Sequence, residues 1–175
     1  MTLTVEQLDA LPAAEAAFKL AACCGSKTWI ARMVAKRPYG SRDGLFGAAE
    51  DVARTLQHGD WLDAFAHHPR IGEKNSAAHV SADAASWASN EQSAASGADR
   101  DVLAELAAAN AEYEKRFGFI FIVSANGRSA EQILSALRER LANDPHAEIF
   151  VAAREQQKIT RLRLEKLVPK VGGRA

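Results

Sequence analysis

One short stretch of this sequence has the composition of a β-strand, and no second stretch is suited to pair with it. The stretch is Phe117–Val123, which combines aromatic and β-branched residues of the kind enriched in strands. A lone strand cannot satisfy its backbone hydrogen-bonding groups. We therefore predict an all-α fold, in which residues near 118–124 form a short buried segment that is extended or partly helical and whose N–H groups are left to meet something else.

Helix signals account for most of the remaining chain. The spacing in Thr4–Gln7 and Ser129–Gln132 is that of a capping box, and Asp144-Pro145 is typical of an N-cap followed by the first helical residue. Ser26 is placed to cap a helix, and Gly25 to end the helix before it. Apolar residues between these signals recur every three or four positions, as they do on one helix face.

These patterns predict seven to nine helices in a single compact domain. The domain is expected to cover residues 1–170, with a flexible tail at 171–175. The alanine-rich residues 81–96, with Trp87 as the one large apolar side chain, are predicted to be helical.

Two helix boundaries in the middle of the chain matter for function. The helical stripe that begins at Leu45 is expected to close near His58-Gly59, and Asp60 to cap the next helix. Pro69 disfavours helical geometry at the residue before it, so that next helix should end at His68.

The composition excludes several classes of protein. The 175 residues carry no formal net charge, which argues against nucleic acid or an anionic membrane as the main partner. No secretory leader is evident, and no apolar run approaches the roughly 20 residues that cross a bilayer. Cys23 and Cys24 are adjacent, and we interpret both as reduced. The expected location is the cytoplasm.

The greatest concentration of polar chemistry lies at the break between two helical runs, in His67–Lys74. His68 is the strongest candidate there, because Pro69 fixes the backbone where the helix ends and histidine titrates near neutrality. The alternative is a structural histidine that hydrogen-bonds the end of its own helix. His67 is expected to support its neighbour or to face solvent.

A carboxylate and a guanidinium complete the set of candidates. Glu91 lies among alanines on a small-residue face that a ligand could approach, although a solvated helical glutamate is the alternative. Arg163 has apolar neighbours on its helix face, and its planar fork could hold a carboxylate or a ureide carbonyl. Arg161 is interpreted as a surface arginine. No paired ligand spacing for zinc is present, so no metal is expected.

Four motifs in this order resemble the signature of the 2-oxo-4-hydroxy-4-carboxy-5-ureidoimidazoline (OHCU) decarboxylases, which form (S)-allantoin in the last step from urate. They are His68-Pro69-Arg70-Ile71-Gly72, Glu91-Gln92, Phe117-Gly118-Phe119-Ile120-Phe121 and the run from Lys158 to Leu164. The resemblance implies an all-α homodimer that acts on a small ureide without a cofactor or metal. It implies catalytic roles for His68, Glu91 and Arg163.

The resemblance also implies the residues that hold the substrate. They comprise neighbours of the catalytic residues and the backbone amides after the Phe-Gly-Phe run, namely Pro69, Ala88, Gln92, Phe119, Phe121, Ile122, Val123, Ser124 and Ala125. One position departs from the family pattern. Many members carry a serine three residues before the glutamate, where this chain has Ala88, with Ser86 and Ser89 nearby.

Two other interpretations remain open at this point. The chain could be a helical ligand-binding or protein-interaction module with a structural His-Pro turn, although such a module has no need for His68, Glu91 and Arg163 to meet. It could also be a family member that acts on a related ureide, which Ala88 would favour.

Overall fold

The structure, a computed structural model, describes residues 2–70, 87 and 100–170. These residues form eight α-helices and no strand. In chain order the helices are α1 Val5–Ala10, α2 Ala13–Ala21, α3 Lys27–Ala35, α4 Arg42–Arg54, α5 His58–Phe65, α6 Arg100–Phe117, α7 Ala130–Leu141 and α8 Pro145–Leu167. The all-α prediction is confirmed. The predicted helix at 81–96 and the tail at 171–175 lie outside the described residues, except for Trp87, which packs against the core.

The long helix α8 organises the core. It packs against α4, α5 and α6, while α6 packs along α7 and α3 lies against α2, α4 and α5. Its buried positions include Ile149, Ala152, Leu164 and Leu167, which meet a core of large side chains from the other helices. Burial of this apolar surface is the main source of stability, at roughly 25 cal/mol per Å². A helix with one face buried along most of its length is therefore a rigid base for a functional site.

The predicted helix starts are confirmed where a hydroxyl or a carboxylate caps the helix. Thr4 and Ser129 each form a capping box with the glutamine three residues later. Ser26 Oγ accepts a hydrogen bond from Trp29 N, and the Asp144 carboxylate accepts from the first turn of α8. These side chains satisfy N–H groups that have no partner within the helix.

Two predicted boundaries are wrong. His58 and Gly59 open α5 and do not close α4, because the helix start is capped by Gln57. Asp60 is the third helical residue, and its carboxylate accepts a hydrogen bond from Gln57 N at 2.8 Å. The second error concerns Gly25: α2 ends at Ala21 with Ala22 as its cap, and Gly25 does not have the positive φ of a C-cap glycine.

The segment that follows α6 is extended and buried, as predicted. Gly118, with φ of 77°, turns the chain out of the helix, and no residue from 119 to 125 belongs to a helix or strand. Arg140 holds the segment in place: its guanidinium donates to Ile122 O at 2.7 Å and lies 4.5 Å from the centre of the Phe121 ring.

A buried ion pair supports that arginine. Arg140 Nε donates to Glu148 at 2.7 Å, and the same carboxylate accepts from the Tyr113 hydroxyl and the Asn143 amide. The glutamate is inaccessible to solvent, so its charge is stable there only because all these donors are present.

Among the described helices, none is long and apolar enough to cross a membrane.

Candidate active site

His68 lies just beyond α5, where its ring faces α8. The helix ends at Phe65, and His68 N donates to the carbonyl of Phe65 in the turn that follows. The ring is partly buried and, within the described part of the chain, makes no hydrogen bond to a carbonyl at its helix end. That contact is made by His67, whose Nδ1 lies 2.7 Å from Asp63 O. The helix-end interpretation therefore describes His67 and not His68.

Arg163 is the arginine that α8 turns inward. It is 4% exposed, and its guanidinium lies 3.5 Å from Ala22 O, at the loop between α2 and α3. Arg161 has the opposite environment. Its side chain is 54% exposed, pairs with Glu50 and Glu165, and lies over the Phe46 ring. The interpretation of Arg161 as a surface arginine is thus confirmed, and the catalytic role expected of Arg163 stays a prediction.

Two polar residues that the sequence interpretation missed share the face of α8 with Arg163. Gln156 and Thr160 precede it at i−7 and i−3, so the three side chains project from one side of the helix. Both are buried, and Gln156 Nε2 donates to Thr160 Oγ1 at 3.2 Å. The 4-3 spacing of polar residues within an otherwise buried helix face was a signal that could have identified them.

The electrostatic environment of His68 favours the neutral ring. Burial is the main cause that lowers the pKa of His68 from 6.5 to about 3, and the positive charge of Arg163 adds to it. An interaction with the Gln156 side chain opposes this shift, while His67 contributes a further lowering. His68 is therefore uncharged at neutral pH in this state and can accept a proton.

His67 is held in one orientation by its backbone contact. A carbonyl oxygen can only accept, so the Nδ1 that faces Asp63 O carries a proton and donates it to that hydrogen bond. The Asp63 carboxylate in turn accepts a hydrogen bond from Lys27 N at 2.8 Å. This chain of contacts joins the end of α5 to the start of α3, directly before His68.

The extended segment approaches this site from the other side. The Phe119 ring lies 5.3 Å from the Phe65 ring, and Ser124 N donates to Glu155 at 2.8 Å, next to Gln156 in the sequence. Among the described residues, Ser124 is the one member of 119–125 whose N–H has an acceptor. The amides of Phe119, Phe121, Ile122, Val123 and Ala125 thus remain candidates for binding a ligand, whereas the Ser124 amide is engaged.

Glu155 is suited to hold that amide as a carboxylate. Burial by itself would raise its pKa, but hydrogen bonds from Lys158 and Ser124 N, with the charges of Lys158 and Arg128, lower the pKa below its usual value. The ionised carboxylate therefore fixes the end of the extended segment against α8.

The remaining predicted site residues have different outcomes. Pro69 is partly buried beside His68. Ala88, Glu91 and Gln92 lie outside the described residues, so their expected roles stay predictions. No cluster of three or more histidine, cysteine or acidic side chains suited to a metal ion occurs in the ranges that the structure describes.

A separate cleft of about 370 Å³ opens between α4 and α8. Cys24 and Thr160 form part of its wall, and charged side chains such as Glu50, Arg54 and Arg154 also line it. Neither His68 nor Arg163 lines this cleft, so it is a neighbour of the candidate site and not the site itself.

Comparison with known proteins gives a consistent result. A family profile described as OHCU decarboxylase matches residues 9–165. The uric acid degradation bifunctional protein TTL of Arabidopsis thaliana is 40% identical over 146 residues, which are 83% of this chain and 45% of that protein. The OHCU decarboxylase of Halalkalicoccus jeotgali is 29% identical over 149 residues, 82% of this chain and 80% of that one.

A solved structure of an OHCU decarboxylase, obtained in the presence of (S)-allantoin, has the same fold. Its TM-score is 0.72 at 37% identity, covering 86% of this chain and 96% of that chain. The chain spans less than half the length of the Arabidopsis relative. The family profile covers nearly the whole sequence, and the solved OHCU decarboxylase has the same fold. The chain therefore belongs to the OHCU decarboxylase family.

Proposed function

We propose that this protein is a carboxy-lyase that converts 2-oxo-4-hydroxy-4-carboxy-5-ureidoimidazoline to (S)-allantoin and CO2. The observation that carries the proposal is the meeting of His68 and Arg163 against one buried face of α8. A helical binding module has no use for a neutral histidine beside a buried guanidinium, since both groups are costly to desolvate.

The chemistry asks little of the protein beyond orientation and charge stabilisation. The bond to the carboxylate carbon breaks, CO2 leaves, and the electron pair moves into the conjugated ring of the substrate. One proton is then added at the carbon that becomes the stereocentre. Arg163 would hold the anionic substrate, and the amides of the extended segment would stabilise the negative charge that develops on the ring. Glu91 would bind ring or ureido N–H groups.

His68 would deliver the proton to one face of the ring. In the free protein the pKa of His68 is about 3, so the ring is neutral at pH 7. A substrate carboxylate bound at Arg163 offsets one of the charges that lower this pKa. Substrate binding therefore favours proton uptake by His68, which couples the presence of substrate to the availability of the proton.

Circular dichroism on freshly generated OHCU tests the activity. The substrate is made in the cuvette from urate by the two upstream enzymes, and this protein is then added. We expect rapid growth of an optically active signal. A time course equal to the uncatalysed decay to racemic allantoin would overturn the proposal, and a screen of related ureides would then test the alternative of a changed substrate.

We also infer a homodimer in the cytoplasm, without nucleic acid or membrane as a partner. The family resemblance supports the dimer, and the absence of formal net charge supports the absence of a polyanionic partner. Sedimentation equilibrium tests the homodimer. A mass of twice 18.9 kDa is expected, and a monomer at all concentrations would contradict the dimer.

A further inference from the structure

Gln156 has a polar atom that the fold alone does not explain. Its side-chain oxygen Oε1 is buried and has no hydrogen-bond partner among the described residues. Of the buried side-chain atoms in those parts of the chain, it is the one left in this state. An amide oxygen without a partner in the interior costs roughly 1–3 kcal/mol relative to a satisfied one, so its retention calls for a reason.

The orientation of the Gln156 amide is set by its other end. Nε2 donates to Thr160 Oγ1, one turn further along α8, at 3.2 Å. Thr160 is itself buried, and its hydroxyl also contacts the Cys24 thiol, so it has little freedom to move. With the nitrogen held in this way, the oxygen is directed away from Thr160.

The His68 ring is the neighbour that can use this oxygen. The two side chains interact, although in the present geometry Oε1 does not form a full hydrogen bond. Gln156 is 0% exposed, so water does not reach the oxygen from outside. A neutral imidazole carries one N–H and an imidazolium carries two, which are the donors that such an acceptor lacks.

We propose that Gln156 is a positioning residue for catalysis, whose Oε1 accepts a hydrogen bond from one ring N–H of His68. This fixes the tautomer, so that the other ring nitrogen presents its lone pair towards the substrate. That nitrogen takes up one proton and gives it to the carbanion left by CO2, and Gln156 neither gains nor loses a proton. The proposal rests on the proposed function for its catalytic part, but the hydrogen bond can be tested without substrate.

Several charged and titratable groups surround His68. Arg163 faces it from α8, and His67 adjoins it in the chain. Cys23 and Cys24 lie near Arg163, and burial raises the pKa of both thiols, so they are neutral near pH 7. None of these described neighbours places a negative charge against the His68 ring. The carboxylate of Gln156→Glu would therefore be the one anion among them.

The experiment uses two variants and a control. Gln156→Leu keeps the volume and removes the acceptor, and Gln156→Glu adds a charge to the acceptor. Gln157→Leu makes the same change as the first variant at the adjacent exposed position. Gln156→Leu removes the unsatisfied oxygen and also the hydrogen bond from Nε2 to Thr160 Oγ1, so its helical spectrum and urea midpoint are measured beside those of the parent protein. Gln156→Glu keeps a polar side chain at this position and gives an independent test.

Nitrogen-15 NMR of the histidine rings in the substrate-free protein gives the first readout, with His68 assigned by its absence in His68→Gln. We expect one tautomer of His68 in the parent and in Gln157→Leu, a mixture in Gln156→Leu, and a protonated ring at neutral pH in Gln156→Glu. The same tautomer and titration of His68 in all four proteins would overturn the proposal, whether or not the protein is a decarboxylase.

Steady-state kinetics give the second readout. In Gln156→Leu, kcat should fall by roughly tenfold or more with little change in KM, since the contribution of a positioned proton donor is lost and substrate binding is not. A higher KM with an unchanged kcat would instead assign Gln156 to substrate binding and contradict the positioning role. If the parent protein fails to turn over OHCU while the NMR result holds, the proposed function fails and the Gln156–His68 contact stands.

Discussion

Gly25 and His67 lie so close together that no side chain fits between them. A Cβ atom on Gly25 would stand 2.3 Å from His67 Cγ and 2.6 Å from Nδ1, well inside the distance that real Cβ atoms keep. The glycine is thus required for close approach and not for a positive φ. The loop before α3 and the end of α5 are thereby fixed against each other, one residue before His68.

The first prediction concerns that contact. Gly25→Ala should displace the His67 ring, break its hydrogen bond to Asp63 O and shift His68. Overpacking of this kind costs about 1–3 kcal/mol of stability, and decarboxylase activity should fall with it. Chemical denaturation and the circular dichroism assay measure the two effects.

Gly47→Ala is the matched control, because a Cβ at Gly47 in α4 would meet nothing within 4 Å. That variant should be unchanged or more stable by up to about 1 kcal/mol, since alanine is the better helix former. Equal behaviour of the two variants would mean that the Gly25–His67 contact has no role in the site.

The second prediction separates the two arginines of α8. Arg163→Met should lower kcat/KM by about 10²–10³-fold, as expected for the loss of a donor that stabilises developing charge. Arg163→Lys should recover little, because the ammonium lacks the planar fork. Arg161→Met should retain nearly full activity, since its side chain is half exposed. Comparable losses in Arg161→Met and Arg163→Met would argue against a site on the buried face.

The third prediction concerns the support of the extended segment. Arg140→Met leaves the Glu148 carboxylate buried without its ion pair and releases Ile122 O, so the free energy of unfolding should fall by about 3–5 kcal/mol. Arg138→Met removes an arginine whose pair with Glu105 is exposed, and should cost at most about 1 kcal/mol. Urea denaturation compares them. A small effect of Arg140→Met would mean that the segment is held by its apolar side chains alone.

The fourth prediction follows from the depressed pKa of His68. Between about pH 6.5 and pH 3 the unfolded state binds a proton at His68 that the folded state does not, so acid destabilises the fold through this residue. From pH 7 to pH 5 the parent protein should lose about 1–2 kcal/mol more stability than His68→Gln, a figure reduced because the ring is only partly buried. Identical pH dependence of the two proteins would show that His68 has an ordinary pKa.

Helix starts could be predicted from the sequence, because they depend on residues that are neighbours in the chain. Thr4, Ser26, Ser129 and Asp144 begin helices because a short polar side chain can cap a helix regardless of the rest of the fold. The start of α5 was misplaced because Gln57 is an unusual cap, and its partnership with Asp60 is visible only in the folded chain.

Two residues of the candidate site could be singled out from the sequence for a similar reason. His68 and Arg163 stood out through their neighbours in the sequence, and the structure brings both to one face of α8. The spacing of Gln156 from Thr160 and Arg163 is visible in the sequence, but only its burial in the folded chain distinguishes it from a solvent-facing helical glutamine. The support of Ile122 by Arg140, which lies 18 residues further along the chain, is a tertiary contact that no periodicity reveals.

The most direct test of the central claim is the handedness of the product formed by the parent protein and by His68→Gln from OHCU generated in the cuvette. The parent should produce optically active (S)-allantoin faster than the substrate decays by itself, and His68→Gln, with a retained helical spectrum, should give only the slow racemic product. Rapid formation of (S)-allantoin by His68→Gln would contradict the account, because the proton would then come from another group.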